Sequence, residues 1–408
     1  MKPQAVSGAF LVLCVGCLLA AYRPPATALP TQPAVVVVAA EANSPTPTVA
    51  PTATATPTPT ATATATLTPT PTATRTPRPT ATATATPVLL GGHIVFVAQR
   101  EDTNGDGSAS DFDNGRIVTL DLQTGETRDL TDGSVNDWGP AWSPDGQQIA
   151  YVSNLGGNHG EELYVINSDG DPPRRLTSTA ERETAPSWSP NGEEIVYLLF
   201  WWDEALGYFI GDLHVMNVVS GATRQLTDTP KLEWEPHWSP DGRFITYSRE
   251  TFRPELERSR EEIYLLDVAT GEEWMLTESL SLASRQDFME PQWPGCQPLT
   301  ISFSVVEYST RELGSEPIVD IVLYELEWQD GQPVLTLRGR FSSNPLLVNG
   351  HAWGPNCEWF IAVESPGLLA RQMTFDQRLR RLPEVQFGDA VVLLDDPTVS
   401  MTMPDWTP

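Results

Sequence analysis

Cationic residues are scarce in this sequence. Its 408 residues contain 25 Lys and Arg against 53 Asp and Glu, which gives a formal net charge of −28. Nucleic acids and anionic lipid surfaces are bound mainly through Lys and Arg, so this balance argues against both as partners. An acidic surface attracts cations or basic partners, or else serves solubility alone.

Long apolar runs are also missing, except for one near the N-terminus. Residues 9–22 read AFLVLCVGCLLAAY after Lys2, which is the pattern of an export signal, and small residues at 26–28 could supply a cleavage site. Lipidation of Cys17 and an uncleaved anchor are the alternatives, although the run is short for a full span. All three make residues 1–28 an export segment. We expect the membrane to be contacted through this segment alone.

Residues 29–88 contain too few large apolar residues to form a hydrophobic core. From Ser44 to Pro87 the chain is almost wholly Pro, Thr and Ala. Such a segment buries too little apolar surface to offset its ordering entropy, and its prolines favour extended polyproline II geometry. We predict a disordered, semi-rigid spacer. O-glycosylation of its threonines and a bare tether both remain open.

A long-period repeat follows the spacer. Tryptophans recur with spacings of 46, 50, 55, 60 and 53 residues, most of them in a P-x-W motif. Repeats of this length are typical of propeller blades. The six tryptophans are Trp142, Trp188, Trp238, Trp293, Trp353 and Trp406.

Each repeat continues with the same elements. A tight turn of the Pro-Asp-Gly type is followed by a β-branched and aromatic run, such as IAYVS, and a second run, such as ELYVIN, comes later. A Gly-containing turn then leads to a segment that ends in Leu-Thr. Short runs between turn signals predict strands. Each repeat is therefore predicted to be a four-stranded antiparallel unit, whose strands we label a, b, c and d.

The first and last segments of the repeat region complete each other. Residues 91–99, GGHIVFVAQ, have the pattern of a b strand without a preceding P-x-W, and residues 404–408, PDWTP, supply that motif. Placed together, they nearly reproduce PAWSPDGQQIAYV. We predict an all-β, six-bladed propeller over residues 89–408. Its C-terminal strand pairs into blade one and closes the ring, which removes exposed sheet edges.

The WSPDG turn followed by an apolar strand resembles the WD-like β-propeller repeat typified by TolB. The resemblance covers residues 89–408 and is strong in blades two to four. It is weaker in blade five, where WPGCQP replaces the turn, and in blade six, where His351 replaces the proline. The resemblance implies a six-bladed propeller in an exported bacterial protein, used mainly for binding.

One loop has the spacing of a calcium ligand set. Blade one carries DTNGDGSASDFD at residues 102–113, between strands b and c. Oxygen ligands at alternating positions around a glycine can wrap Ca²⁺, although this loop ends in Asp rather than Glu and is flanked by strands. An empty polar turn is the alternative. The candidate ligands of calcium, the one cofactor that the sequence indicates, are Asp102, Asn104, Asp106, Ser108 and Asp113.

The b–c and d–a loops are long and varied, and they share one face of the predicted propeller, where function tends to lie. Blade three carries LLFWWDEALGYFIGD at residues 198–212 in its b–c loop. This aromatic cluster predicts a binding site for a protein or a sugar, or else a long hairpin packed on a neighbouring blade. The candidate binding residues are Trp201, Trp202, Tyr208 and Phe209.

Acidic residues recur just before the a strands, where they would approach the mouth of the central channel. They are Asp137, Glu183, Glu233, Glu235 and Glu290. We take Glu235 and Glu290 as candidates for binding a cationic ligand or a metal. The alternative is that these charges are simply solvated.

Cysteine is rare, with four residues of which two lie in the export segment. The other two, Cys296 and Cys357, occupy matching a–b turns in blades five and six. In an oxidising compartment they would form a disulfide between these blades if the geometry allows it. A zinc site needs four ligands, which argues against zinc at this pair.

Signatures of catalysis are few. No G-x-S-x-G elbow occurs, and only five histidines are present. Of these, His237 and His351 could approach the channel together, which leaves a metal-dependent lyase or hydrolase as a minor alternative. We expect a monomeric, non-enzymatic binding module tethered at the cell surface, with a protein or polysaccharide of the cell envelope as partner. The rival is a periplasmic structural component of an envelope complex, as the resemblance to TolB implies.

Overall fold

The computed structural model describes residues 92–99, 114–155, 160–253, 258–278, 280, 286–294, 299–307, 318–343, 348–354, 359–364, 367–374, 386–395 and 400–407. All regular structure in these residues is β-strand, as predicted. Within the same residues, no helix is long and apolar enough to cross a membrane. The export segment and the spacer lie outside them and stay predictions.

The 24 strands form sheets of four antiparallel strands, which are the blades of a propeller. Five of the sheets are built from consecutive strands, whereas the sixth, blade one, joins both ends of the described chain. Blade one contains β1 (His93–Gln99), β2 (Arg116–Asp121), β3 (Thr127–Asp129) and β24 (Ser400–Thr407). Blade two contains β4 (Asp137–Trp142), β5 (Gln148–Ser153), β6 (Glu162–Asn167) and β7 (Arg174–Arg175). Blade three contains β8 (Arg182–Trp188), β9 (Glu194–Asp203), β10 (Tyr208–Asn217) and β11 (Thr223–Gln225). Blade four contains β12 (Glu233–Trp238), β13 (Phe244–Arg253), β14 (Arg258–Asp267) and β15 (Glu273–Met275). Blade five contains β16 (Gln286–Gln292), β17 (Thr300–Glu307), β18 (Ile318–Gln329) and β19 (Gln332–Ser343). Blade six contains β20 (Val348–Trp353), β21 (Trp359–Glu364), β22 (Gly367–Thr374) and β23 (Gln386–Asp395).

The ring is closed by the last strand. β24 pairs antiparallel with β1, with Trp406 opposite Ile94 and Ser400 opposite Gln99. The first strands of the blades contact one another all the way round, in the order β24, β4, β8, β12, β16, β20 and back to β24. The predicted pairing of the C-terminal strand into blade one is therefore confirmed.

The first strand of a blade contains an irregularity that the sequence pattern did not predict. In β4, β8, β12 and β16 the pairing register shifts around the residue before the motif's proline. That residue has a positive φ in each case: 56° at Gly139, 51° at Ala185, 53° at Glu235 and 55° at Glu290. Non-glycine residues rarely adopt this left-handed conformation. A bulge re-aims the side chains beside it, and here it sets the direction of the two glutamates.

The WSPDG motif encodes the turn between strands a and b. In blade four, Ser239 Oγ donates to Asp241 Oδ1 at 2.7 Å and accepts from the Phe244 N–H at 2.8 Å. Asp241 Oδ1 also accepts from the Arg243 N–H at 3.1 Å, and Gly242 supplies a φ of 71°. The same serine and Asp or Asn bonds recur in blades two and three. The serine hydroxyl and the aspartate carboxylate of the motif therefore both have partners within the turn.

The repeated tryptophan lies in the core between two blades. Trp142 packs among residues of blades one and two, and Trp293 packs among residues of blades four and five. At the closure, Trp406 is buried against Gly354 of blade six, where an added Cβ would stand 2.8 Å from its ring. The tryptophan of one blade thus holds that blade to its predecessor all round the ring, including the junction between blades six and one.

Candidate functional site

The b–c connection of blade three is a long hairpin. β9 and β10 stay paired as far as Asp203 and Tyr208. Asp203 Oδ1 accepts from the N–H groups of Ala205 and Leu206 at 2.8 Å each, and Gly207 with a φ of 75° completes the turn. Asp and Gly are the residues that such a turn favours. The aromatic side chains therefore stand on paired strands, not on an irregular loop.

The base of this hairpin packs on the next blade. Phe200 is buried, and its ring lies 6.0 Å from that of Phe209 and 6.3 Å from that of Trp234 in blade four, measured between centroids. Trp201 and Phe209 are half-buried. The packing that the sequence analysis gave as an alternative therefore applies to the base, and it holds the hairpin in place.

The tip of the hairpin exposes large apolar side chains. Trp202 touches Phe209 edge-on at 5.1 Å between ring centroids, yet 41 % of Trp202 is exposed. Tyr208 and Leu206 are exposed to a similar extent. Phe252, on the b–c hairpin of blade four, is 57 % exposed. The b–c face of blades three and four thus carries several exposed apolar residues on paired strands.

Glu235 and Glu290 occupy equivalent positions on neighbouring first strands, and the structure brings them together. The Glu290 N–H donates to Glu235 Oε2 at 2.7 Å, and Ser304 Oγ donates to Glu290 Oε2 at 2.8 Å. Burial and the adjacent charge of Glu290 raise the pKa of Glu235 to about 8. Glu235 therefore holds a proton at neutral pH. Both side chains remain partly accessible to solvent.

His351, which replaces the motif's proline in blade six, adds an imidazole to this pair. Trp353 Nε1 donates to Ser302 Oγ at 2.6 Å, and because an indole N–H only donates, the Ser302 hydroxyl proton is free to bond His351 Nε2 at 3.0 Å. His351 Nδ1 faces Glu290 Oε2 at 3.8 Å. The order Ser, His, Glu is that of a hydrolase triad. Ser302 is fully buried, however, so a substrate has no access to its hydroxyl.

His237 and His351 lie close enough for their charges to interact. Burial and the charge of His351 lower the pKa of His237 to about 4, against the opposite effect of Glu290. The two histidines that the sequence analysis paired are thus neighbours near the channel. In the described part of the chain, no group of three His, Cys, Asp or Glu side chains is arranged to hold a metal ion.

The other acidic residues before the a strands have a structural task. Glu183 and Glu233 are fully buried, and Asp137 is nearly so. Thr177 Oγ1 donates to Glu183 Oε2 at 3.2 Å, and Thr227 Oγ1 donates to Glu233 in the same way. Each threonine belongs to the Leu-Thr signature, and its hydroxyl also accepts from a c-strand N–H. The idea that these charges are solvated is wrong for this group, because their carboxyls connect strand d to the next blade.

Two predicted sites lie outside the described residues. They are the calcium ligand set (Asp102, Asn104, Asp106, Ser108 and Asp113) and the disulfide pair (Cys296 and Cys357). Both stay predictions.

Sequence reasoning missed residues that only packing brings to the site. Ser302 and Ser304 are ordinary strand residues of β17, and they reach His351 and Glu290 because adjacent blades meet there. Phe252 is a single aromatic residue in a polar stretch, so no cluster marked it. One signal was available: the replacement of the motif's proline by His351 indicated a departure from the repeat at this place.

Comparison with known proteins agrees with this architecture. Residues 108–202 match the family described as TolB beta propeller domain. TolB from Acinetobacter baumannii is similar over 79 % of this chain and 68 % of its own, with 17 % identity and a TM-score of 0.55. Hydrazine synthase from Kuenenia stuttgartiensis is similar over 78 % of this chain and 46 % of its own, with 14 % identity and a TM-score of 0.57. At such identities the structural likeness concerns the fold alone. The chain is therefore a β-propeller in fold, and its residues 108–202 are similar to the TolB beta propeller domain.

Proposed function

We propose that this protein is an exported, non-enzymatic binding module that engages a protein or polysaccharide of the cell envelope through its b–c and d–a face. The observation that carries the proposal is the blade-three hairpin, whose tip exposes Trp202, Leu206 and Tyr208. Tyr and Trp are enriched at binding surfaces because they combine a large apolar body with a polar group.

The hairpin is preorganised for binding. Phe200 anchors it on blade four, and the Gly211 N–H donates to the Lys231 carbonyl at 3.0 Å. At the tip, Tyr208 Oη donates to the Pro230 carbonyl at 3.4 Å. A ligand that meets rings already held in this way spends less of its binding energy on ordering them. This is the property expected of a binding surface on a rigid scaffold.

The negative net charge of the chain restricts the chemical class of the partner. With a net charge of −28, the protein repels polyanions at long range and attracts basic or neutral surfaces. A basic envelope protein or an uncharged polysaccharide therefore fits the proposal better than an anionic polymer. Within the proposal, residues 29–88 act as the spacer that carries the propeller away from the membrane.

Capture of envelope components by the tagged full chain tests this proposal. We expect the Trp202→Ala, Tyr208→Ala double variant to lose a partner that the parent captures, and protease or glycosidase treatment of the extract identifies its class. The matched control is Val219→Ser, a 92 % exposed position on the opposite face of the same blade, which should capture normally. If the parent and the double variant capture the same partner equally well, the hairpin is not part of the binding surface.

A periplasmic structural role is the second candidate, because the TolB-type fold favours it. The two differ in location. Protease added to intact cells cleaves a surface-tethered propeller and spares a periplasmic one, and a cytoplasmic protein serves as the lysis control. Protection of the propeller from protease would favour the structural role.

A further inference from the structure

The outer strand of blade five is much longer than that of blade four. β19 has 12 residues, whereas β15 has three. In the described part of the chain, each is the last strand of its sheet. The side of blade five that faces blade four therefore extends beyond the strand that covers it.

Apolar side chains occupy this uncovered area. Leu326 of β18 lies in the core between blades four and five, and its partner on β19 is Leu335. Paired residues point to the same side of a sheet, and so do residues two apart along a strand. Trp328 and Leu337 therefore face blade four as well, yet they remain 38 % and 37 % exposed.

Aromatic rings of both blades meet at one end of this area. The indoles of Trp274 and Trp328 are perpendicular, with centroids 5.2 Å apart, and Phe244 stacks on Trp328 at 5.7 Å. The Arg243 guanidinium lies 4.5 Å from the Phe244 centroid and donates to Asp267 at 3.0 Å. The area thus already stacks one guanidinium on an aromatic ring. We call it the outer patch; its members are Trp274, Trp328, Leu335 and Leu337.

The spacer joins the propeller on the face where the aromatic end of the outer patch lies. His93, the first residue of β1, is opposite Asp121, where the c–d turn of blade one begins. Phe244 is likewise opposite Asp267, where the c–d turn of blade four begins. Trp328 is next to the c–d turn of blade five. All three lie on the a–b and c–d face, opposite the hairpin of the proposed function.

One stretch of the spacer differs from the rest in composition. Its two cationic residues, Arg75 and Arg78, both lie in residues 75–80, RTPRPT. The prolines favour polyproline II geometry, and a segment in this geometry docks on aromatic-lined surfaces at a low entropic cost. Six residues at about 3.1 Å each span about 19 Å. The outer patch extends over about 14 Å of β19, so the two match in length.

We propose that residues 75–80 dock on the outer patch of the same chain. Glu272 and Asp330 are exposed on the c–d turns of blades four and five, each two residues from an indole of the patch. These carboxylates complement the two arginines of the segment.

The length of the intervening chain permits this contact. Residues 81–92 span about 37 Å at about 3.1 Å per residue. Strands lie about 4.8 Å apart, which makes the path from β1 across the ring to Trp328 roughly 30 Å. Docking fixes the direction in which the spacer leaves the propeller. The b–c and d–a face stays free, so the inference does not depend on the proposed function.

Limited trypsin digestion of the full chain tests the proposal. Trypsin cleaves after Lys or Arg unless Pro follows, so Arg75–Thr76 is the single cleavable bond within residues 1–99. We expect Trp328→Ala to raise the rate of this cleavage about fivefold, because a tethered segment has an effective concentration of several mM and a dissociation constant of about 1 mM would keep it mostly docked. Val219→Ser, exposed on the same face of blade three, is the control and should cleave as the parent does. Circular dichroism confirms that each variant is folded.

Fluorine NMR of the full chain labelled with 5-fluorotryptophan supplies a test that leaves the propeller unaltered. The signal that is missing in Trp328→Phe belongs to Trp328, and Trp202→Phe assigns the reference signal in the same way. Deletion of residues 75–80 should shift the Trp328 signal and leave that of Trp202 in place. Deletion of residues 55–60, which are Pro, Thr and Ala alone, is the matched control and should shift neither.

Three outcomes would overturn the assignment. These are equal cleavage rates in the parent and Trp328→Ala, a Trp328 signal that deletion of residues 75–80 leaves unmoved, and protection that disappears on dilution. The last result would assign the outer patch to the spacer of a second copy. The Trp202→Ala, Tyr208→Ala variant should keep its protection from trypsin, which separates this test from that of the proposed function.

Discussion

At the residue scale, Glu235 has two features that lower the stability of the folded state. Its backbone is in the left-handed region at a φ of 53°, and its carboxyl is buried beside that of Glu290. The pKa of Glu235 is raised from its ordinary value of 4.5 to about 8. Between these two values only the folded state keeps the proton, so the free energy of unfolding falls as the pH rises through this window. Glu183, with a pKa near 7, and Asp405, with a pKa near 6, act in the same direction.

Thermal unfolding at several pH values measures this effect. We expect the parent to melt at a lower temperature at pH 8.5 than at pH 5, and Glu235→Gln to lose less of its stability over the same interval, by about 1–3 kcal/mol. Glutamine keeps the hydrogen bond from the Glu290 N–H and cannot ionise. Glu193→Gln is the control, and it should follow the parent. A parent that is more stable at pH 8.5 would mean that Glu235 ionises freely in the folded protein.

At the element scale, the a–b turn is where the sequence motif and the structure agree best. Ser239 Oγ is fully buried and is the acceptor for the Phe244 N–H, as well as a donor to Asp241. Ser239→Ala leaves that buried N–H without an acceptor, which should cost about 1–3 kcal/mol in urea unfolding. Ser220→Ala, in an exposed turn of blade three, should cost within about 0.5 kcal/mol. Equal losses in the two variants would show that the WSPDG serine has no special role.

Strand identity and order were predictable because each element has a local signal. The P-x-W motif marks strand a, the WSPDG turn marks the start of strand b, and Leu-Thr marks the end of strand d. The bulge was not predictable, since Gly139, Ala185 and Glu235 have nothing in common as residue types and share only their place in the register. The role of Thr227 in satisfying Glu233 also needed the structure, because it joins two blades.

The candidate site was predictable in part for the same reason. The aromatic residues of the blade-three hairpin are consecutive in the chain, so their cluster was visible, although the division between buried Phe200 and exposed Trp202 was not. The group around Glu290 draws on β12, β16, β17 and β20, and no single stretch of sequence contains enough of it to form a pattern. Contacts between blades join residues that are far apart in the chain. A short stretch of sequence therefore does not show them, nor the effect that they have on the pKa values of the residues in contact.

At the scale of the whole molecule, the ring depends on a few residues at its closure. β24 pairs with β1, and Trp406 fills the space beside Gly354 of blade six. Asp405 Oδ2 accepts from the Trp142 N–H at 2.7 Å, which connects blade one to blade two. One short strand therefore contacts three blades. Without it, β1 would become an exposed edge, and the core around Trp406 would open on blade six.

Deletion of residues 401–408 tests this dependence. We expect a truncated protein that aggregates or melts at least about 10 °C below the parent, because sheet pairing and two blade junctions are lost at once. Trp406→Ala removes the ring but keeps the strand, so it should cost about 3–5 kcal/mol and leave a folded protein. That graded result would separate loss of packing from loss of closure. A truncated protein that melts with the parent would mean that the other blades hold the ring together, and that β24 merely covers the edge of β1.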